Sequence, residues 1–195
     1  DVKVGITLMV AVELNSSSMV DPFIVLHGTK IKDAKNPRST LDYKYRNWRD
    51  PSNGHTAYLA FQKKHWFDAD ITIEFLDFIL NIVYPGKKVG LTMDMAPAHK
   101  GGIVGSYIKA KEDEGRLKIE FIDGGLTSIL QVCDLTANKQ IKAIIKEAYY
   151  KWHAQYIKAE RSRLGDKHVH IKLKMNIEEM TSIIEKSVKH FNSLQ

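Results

Sequence analysis

Apolar and polar positions along this chain repeat with two periods, and the changes of period divide it into strands and helices. Val2–Glu13 is a nearly continuous apolar run, which predicts a strand covered on both faces. Pro22–His27 is a second such run. Asn15-Ser16-Ser17-Ser18 lies between them and supplies turn chemistry, so the pair predicts an antiparallel hairpin. Thr56–Gln62 reads as a third strand. From about Asp70 to Tyr84 the period becomes helical, with Ile71, Phe75, Phe78, Ile79 and Ile82 on one face. Asp68 or Asp70 can cap that helix, and Pro85-Gly86 ends it.

The pattern continues in the second half. Val89, Leu91 and Met93 alternate with smaller or more polar residues, predicting a short buried strand that ends at Asp94. Gly102–Glu114 reads as a helix. Leu117, Ile119 and Phe121 alternate with Lys118 and Glu120 in another strand. A long helix follows from about Thr136 to Tyr156, with a buried stripe of Ile141, Ile145, Ala148, Trp152 and Tyr156. Then come a basic linker (Lys158–Lys167), a strand-like segment (His168–Lys174) and a final helix. Asn176 and Glu179 form a capping box for that helix, and Ile177, Met180, Ile184, Val188 and Phe191 form its apolar face. This order predicts an α/β fold, a mixed sheet flanked by helices.

Composition narrows the class. The 195 residues are 44% hydrophobic and 27% charged, which suits one folded domain with a real core. The net charge of +6 favours a polyanionic partner and says nothing about fold. The single cysteine, Cys133, excludes an internal disulfide and a multi-cysteine zinc site. It reads as a small core residue rather than a nucleophile. Asp77 interrupts the best apolar stretch, so no membrane span is expected. No P-loop, dinucleotide fingerprint or internal repeat is present.

Two acidic motifs carry the candidate chemistry. Leu91–His99 reads LTMDMAPAH: an apolar run, a carboxylate at its end, and a Pro-broken turn closed by His99. Sites collect at the carboxyl ends of strands in α/β sheets. Asp94 either caps the turn or binds a cation or donor, because a buried carboxylate is costly without one. Phe121–Asp134 reads FIDGGLTSILQVCD and places Asp134 at the opening of the long helix.

Basic residues form two groups. Lys139, Lys142 and Lys146 make a stripe at i, i+3 and i+7 on the long helix. The polar stretch Gly28–Thr56 holds Lys30, Lys32, Lys35 and Arg38, then Lys44, Arg46 and Arg49, interleaved with Tyr43, Tyr45 and Trp48. Such a mixture either tracks a phosphate backbone and stacks bases, or is a solvated loop pinned by its aromatics. His65 and the pair His168 and His170 lack further ligands in view.

The two acidic motifs resemble those of the DDE superfamily of transposase-derived endonucleases, in particular the pogo/Tigger branch. There the second catalytic Asp sits in a motif like LLLDNAPAH and the third in one like LPPNTTSLLQPLD. Asp94, Ala96, Pro97, Ala98 and His99 match the first; Thr127, Ser128, Leu130, Gln131 and Asp134 match the second. TLMVAV (Thr7–Val12), PFIVLHGTK (Pro22–Lys30), NPR (Asn36–Arg38) and His65-Trp66-Phe67 extend the resemblance, which spans roughly residues 4–158. Met95, Gly124-Gly125 and Val132-Cys133 depart from the usual Asn, Pro-Asn and Pro-Leu.

The resemblance implies a ribonuclease H-like core over residues 1–158, followed by a linker and a C-terminal helix (159–195) packed on it. It implies catalytic and metal-binding roles for Asp94 and Asp134, with Mg²⁺ (or Mn²⁺) as cofactor. His99 would close the turn or position a phosphate. DNA is the implied partner, held by Lys139, Lys142, Lys146, Lys44, Arg46 and Arg49. The nucleus is the implied location, and homo-oligomerisation stays open. In the family the first catalytic Asp lies on a strand upstream of the TLMVAV strand. The resemblance therefore implies a core whose first strand is missing from these residues and a chain that does not cleave DNA as it stands. Glu13 is an alternative source of that acid. Two functions follow: a metal-dependent DNA endonuclease or transposase, and a domesticated relative that binds DNA or chromatin without cleaving.

Overall fold

The computed structural model describes residues 6–48, 51–64, 66–94, 102–122, 137–165, 171, 173 and 175–195. Strand β1 (Ile6–Met9) pairs antiparallel with β2 (Phe23–His27), with Thr7 opposite Val25. Ser17 makes the turn between them at φ 56. Strand β3 (Tyr58–Gln62) runs parallel to β2, with Val25 opposite Ala60. Strands β4 (Val89–Asp94) and β5 (Leu117–Ile122) form a separate parallel pair. The sequence predicts one mixed sheet. Among the described residues the strands instead form two small sheets, β1-β2-β3 and β4-β5, flanked by helices.

The unbroken apolar runs follow from layers on both faces of the first sheet. A short helix, α1 (Leu41–Lys44), precedes β3. Phe23, Val25 and Ala60 face α2 (Ala69–Phe78), where Phe23 meets Phe75 edge-on at 5.4 Å. Ile24, Leu26, Leu59 and Phe61 face the opposite core, built with α4 (Asn138–Leu164) and α5 (Ile177–Asn192). β2 and β3 are thus buried almost throughout. β1 is only half-buried, contrary to the expectation of a strand covered on both faces. In β4, likewise, only Met93 is fully buried. Both strands lie beside a cleft, described below.

Asp68 caps α2 by accepting from the Ile71 amide at 3.0 Å, satisfying one of the donors a helix start leaves unpaired. Ile71, Phe75, Phe78 and Ile79 are buried as the periodicity predicts, but Ile82 is 47% exposed. The cause is a π turn at Ile79–Val83, closed by the Tyr84 amide donating to the Ile79 carbonyl at 3.0 Å. The wider turn carries Ile82 off the apolar face. Leu76 and Leu80 fill a third cluster with Met93, Leu117 and, from α3 (Gly102–Asp113), Val104 and Ile108. Arg116 locks this corner by donating to the carbonyls of Leu80 at 2.7 Å and Lys87 at 3.2 Å.

The linker expected from Lys158 starts later. α4 continues through Leu164, supported by an Arg163–Glu160 ion pair at 2.8 Å, and stops at Gly165 with φ 72. Ala, Glu, Arg and Leu in that stretch are good helix formers, which composition alone made look like a linker. Of the strand-like segment His168–Lys174, Ile171 and Leu173 are described, and neither lies in a strand. The His168–His170 pair lies outside the described residues, as does His65.

α5 is bound into the core by polar contacts from distant parts of the chain. Its capping box is complete, with Asn176 Oδ1 accepting from the Glu179 amide at 2.7 Å and Glu179 Oε2 from the Asn176 amide at 3.0 Å. The Asn192 side chain accepts from the Met19 amide at 2.7 Å and donates to its carbonyl at 2.9 Å. Glu185 is buried, and its Oε1 accepts from the amides of Thr56 and Ala57, each at 2.9 Å. Removing that carboxylate strands two donors at the entry to β3. Glu185→Ala is expected to cost about 3 kcal/mol in urea unfolding, because each unsatisfied buried group costs roughly 1–3 kcal/mol. Glu185→Gln keeps an acceptor oxygen and should lose clearly less.

Candidate active site at the end of β4

β4 and β5 run parallel, so their carboxyl ends, Asp94 and Ile122, lie side by side. The alternation of β4 sends Met93 into the core, and Asp94, the next residue, is half-buried at the strand end. Asp94 lines a cleft of about 750 Å³. One wall is Met9–Asn15, continuing from β1; the other is Lys87–Asp94; Phe75 and Ile79 of the α2 region lie beneath. Among the described residues β1 pairs with β2 and β4 with β5, and Met9 at the end of β1 and all of β4 line this cleft.

The far end of the cleft is closed by a tyrosine. The Tyr84 hydroxyl donates to Glu13 Oε1, and Glu13 also accepts from the Ser16 hydroxyl at 2.8 Å. These bonds, with Lys87 nearby, hold the Glu13 carboxyl below the usual range. Burial, and then the bond to Glu13, push Tyr84 up to about 12. Glu13 thus stands near the amino end of β4. Asp94 is five residues further along β4, about 17 Å at strand rise. Glu13 cannot serve as the substitute acid considered from the sequence.

Of the other expected site residues, Asp134, His99 and Arg49 lie outside the described residues. Lys139, Lys142 and Lys146 are all exposed on α4. Lys44 is exposed and 4.0 Å from Glu178. Arg46 lies over the Tyr43 ring, 3.8 Å from its centroid, and donates to the Tyr43 carbonyl. The loop aromatics resolve differently from the base-stacking alternative. Tyr45 is buried and donates to Glu178 Oε1 at 3.0 Å, and Trp48 stacks on His55 at 3.6 Å. Lys30 and Lys32 pair with Glu74 and Asp70 of α2, each at 2.9 Å. These residues pin the loop to the core. The roles of Tyr84 and Glu13 had no sequence signal, because their contact joins positions 71 residues apart.

The family model for DDE superfamily endonucleases matches residues 3–193. The chain belongs to this superfamily. No curated protein and no solved structure matches it. Superfamily members use divalent metal ions, and their substrate is DNA. Asp94 offers one hard oxygen donor of the kind Mg²⁺ takes. Among the described residues no group of three His, Cys, Asp or Glu side chains could hold an ion, so the described residues by themselves do not form the site. No described helix is long and apolar enough to cross a membrane.

The Tyr84 closure has a signature at alkaline pH. Tyrosine ionises near 10 in the unfolded chain and at about 12 here. Between these values the unfolded chain has released the proton and the folded chain has not, so stability falls as pH rises through that window. The urea midpoint should decline from pH 10 to 12 more steeply in the native chain than in Tyr84→Phe, whose residue 84 cannot ionise. Identical slopes would place Tyr84 elsewhere.

Proposed function

We propose that this domain is a pogo/Tigger-like DDE endonuclease core of ribonuclease H-like fold that binds DNA, in a family whose intact members cleave phosphodiester bonds with Mg²⁺ or Mn²⁺. The observation that carries the reading is the match of the DDE superfamily endonuclease model to residues 3–193, which includes the strand that ends in Asp94. In this reading Asp94 and Asp134 hold the metal, and the nucleus is where the protein acts. When bound, paired divalent ions activate the attacking oxygen and stabilise the leaving one. Asp94, set on a strand rather than a loop, gives that site one rigidly placed donor.

The cleft beside Asp94 supports a further element of the reading. A strand seated there would, on this reading, run parallel to β4. Its carboxyl end would lie beside Asp94, where a further acid would complete a three-carboxylate set. In this reading Lys139, Lys142 and Lys146 on the outer face of α4 contact DNA, and Lys44, Arg46 and Arg49 are further phosphate contacts.

Two measurements test the reading. Calorimetric Mn²⁺ binding should be strongly weakened in the Asp94→Asn, Asp134→Asn double variant; unchanged binding would remove both residues from the site. Nicking of supercoiled plasmid that depends on Mn²⁺ and is abolished by Asp94→Ala supports the endonuclease. DNA binding without nicking supports the non-catalytic relative instead.

The DNA surface has its own test. Neutralising phosphates releases counterions, so affinity should fall steeply with salt. Reversing Lys139, Lys142 and Lys146 to Glu should flatten the slope of log affinity against log salt by about two to three. An unaltered slope would move the DNA to another surface.

A further inference from the structure

α4 is 27 residues long, yet Ile141 is its one buried residue. At 1.5 Å per residue the helix extends about 40 Å. Its inner side packs Ile141, Ile144 and Ile145 on the core, and Trp152 Nε1 donates to Glu179 Oε1 of α5 at 3.4 Å. Steps of three and four residues place Lys139, Lys142, Lys146, Tyr150 and His153 along one outer strip. Tyr149 borders it. Tyr149 and Tyr150 are 36% and 56% exposed, and their ring centroids are 5.9 Å apart. Tyr149 also stacks on His153 at 6.1 Å, and Lys146 Nζ lies 5.8 Å from the centre of the Tyr150 ring. The helix's carboxylates do not neutralise the strip: Glu147 pairs with Lys151 at 2.7 Å and Glu160 with Arg163. The strip is therefore cationic at its amino-terminal half and carries exposed rings directly beyond.

We infer that this strip, Lys139 to His153, is a binding surface for unpaired single-stranded DNA, with the lysines on phosphates and Tyr149 and Tyr150 stacked on bases. The inference deepens the proposed DNA reading and rests on it. A duplex presents phosphates to the lysines but hides its base faces in the stack. The rings add binding energy only to a strand whose bases are free, as at a frayed or opened end. Stacking on an aromatic ring tolerates any base, so the surface should show little sequence preference.

The test uses the whole chain, with fluorescence anisotropy on an oligothymidylate of about 20 nucleotides and on a hairpin duplex of equal charge. The Tyr149→Ala, Tyr150→Ala variant should lose about tenfold or more in affinity for the single strand and under about twofold for the duplex, given the usual cost of removing a stacked ring. Tyr149→Phe, Tyr150→Phe keeps the rings and should bind the single strand as the native chain does. The Lys139, Lys142, Lys146→Glu variant should lose affinity for both. Should the alanine variant lose helix, nitration of the native chain decides. The oligothymidylate should protect Tyr149 and Tyr150 from tetranitromethane and the duplex should not. Equal losses on both DNAs, no loss, or no selective protection would overturn the inference and leave the DNA reading standing. Failure of the native chain to bind either DNA at low salt would sink both. A dimer that the alanine variant dissolves and the oligonucleotide does not compete with would assign the rings to a second copy instead.

Discussion

A strand's backbone donors and acceptors must be paired or wet, and this structure is arranged around that constraint. β2 lies between β1 and β3 with both edges paired, and its side chains are buried on both faces. Among the described residues β1 pairs with β2 and β4 with β5, and the end of β1 and the whole of β4 line one cleft. α2 supports both sheets, through Phe75 and Phe78 under the first and Leu76 under the second. Among the described residues the two sheets are held in place without pairing to each other. Arg116 ties the start of β4 to the end of the α2 region, and Tyr107 of α3 donates to Asp77 at 2.6 Å. Burial, and then that bond, raise Tyr107 well above the ordinary tyrosine range, so the tie is stable at neutral pH.

What the sequence reveals divides by the range of the interaction. Local signals survive: the turn at Ser17, the Asp68 cap, the Asn176–Glu179 capping box and the strand ending in Asp94 all read from neighbouring residues. Ile82 is misplaced because a π turn breaks the 3.6-residue period on which the reading relies, and no residue in ILNIV announces that turn. Lys158–Leu164 is misread because charged helix formers share their composition with linkers. Tyr45 and Trp48 allow two readings until their partners are known, and those partners include Glu178, 133 residues away. Glu185 gives no signal at all. A glutamate on a helix is ordinary, and only the fold brings Thr56 and Ala57 to it.

The candidate site follows the same division. Asp94 is legible because one strand sets both its position and its exposure. The geometry of a metal site is not, because it needs carboxylates from elements far apart in sequence. Asp94 and Glu13 illustrate the difference. Both line the cleft, yet Glu13 sits with Tyr84 and Lys87 ahead of β4 while Asp94 ends that strand, so they stand at opposite ends. That separation, which no composition or period encodes, excludes Glu13.

On the proposed reading, the cleft and the metal are thermodynamically linked. Asp94 alone binds Mg²⁺ weakly, because the ion gives up water reluctantly and needs charge compensation from several oxygens. A strand seated between β1 and β4 would add an acid, and the bound ion would in turn favour the seated strand. Whatever factor one event adds to the affinity of the other is returned unchanged, since coupling between two binding equilibria is reciprocal. Sheet completion would then be sensed at the site without any movement of β4.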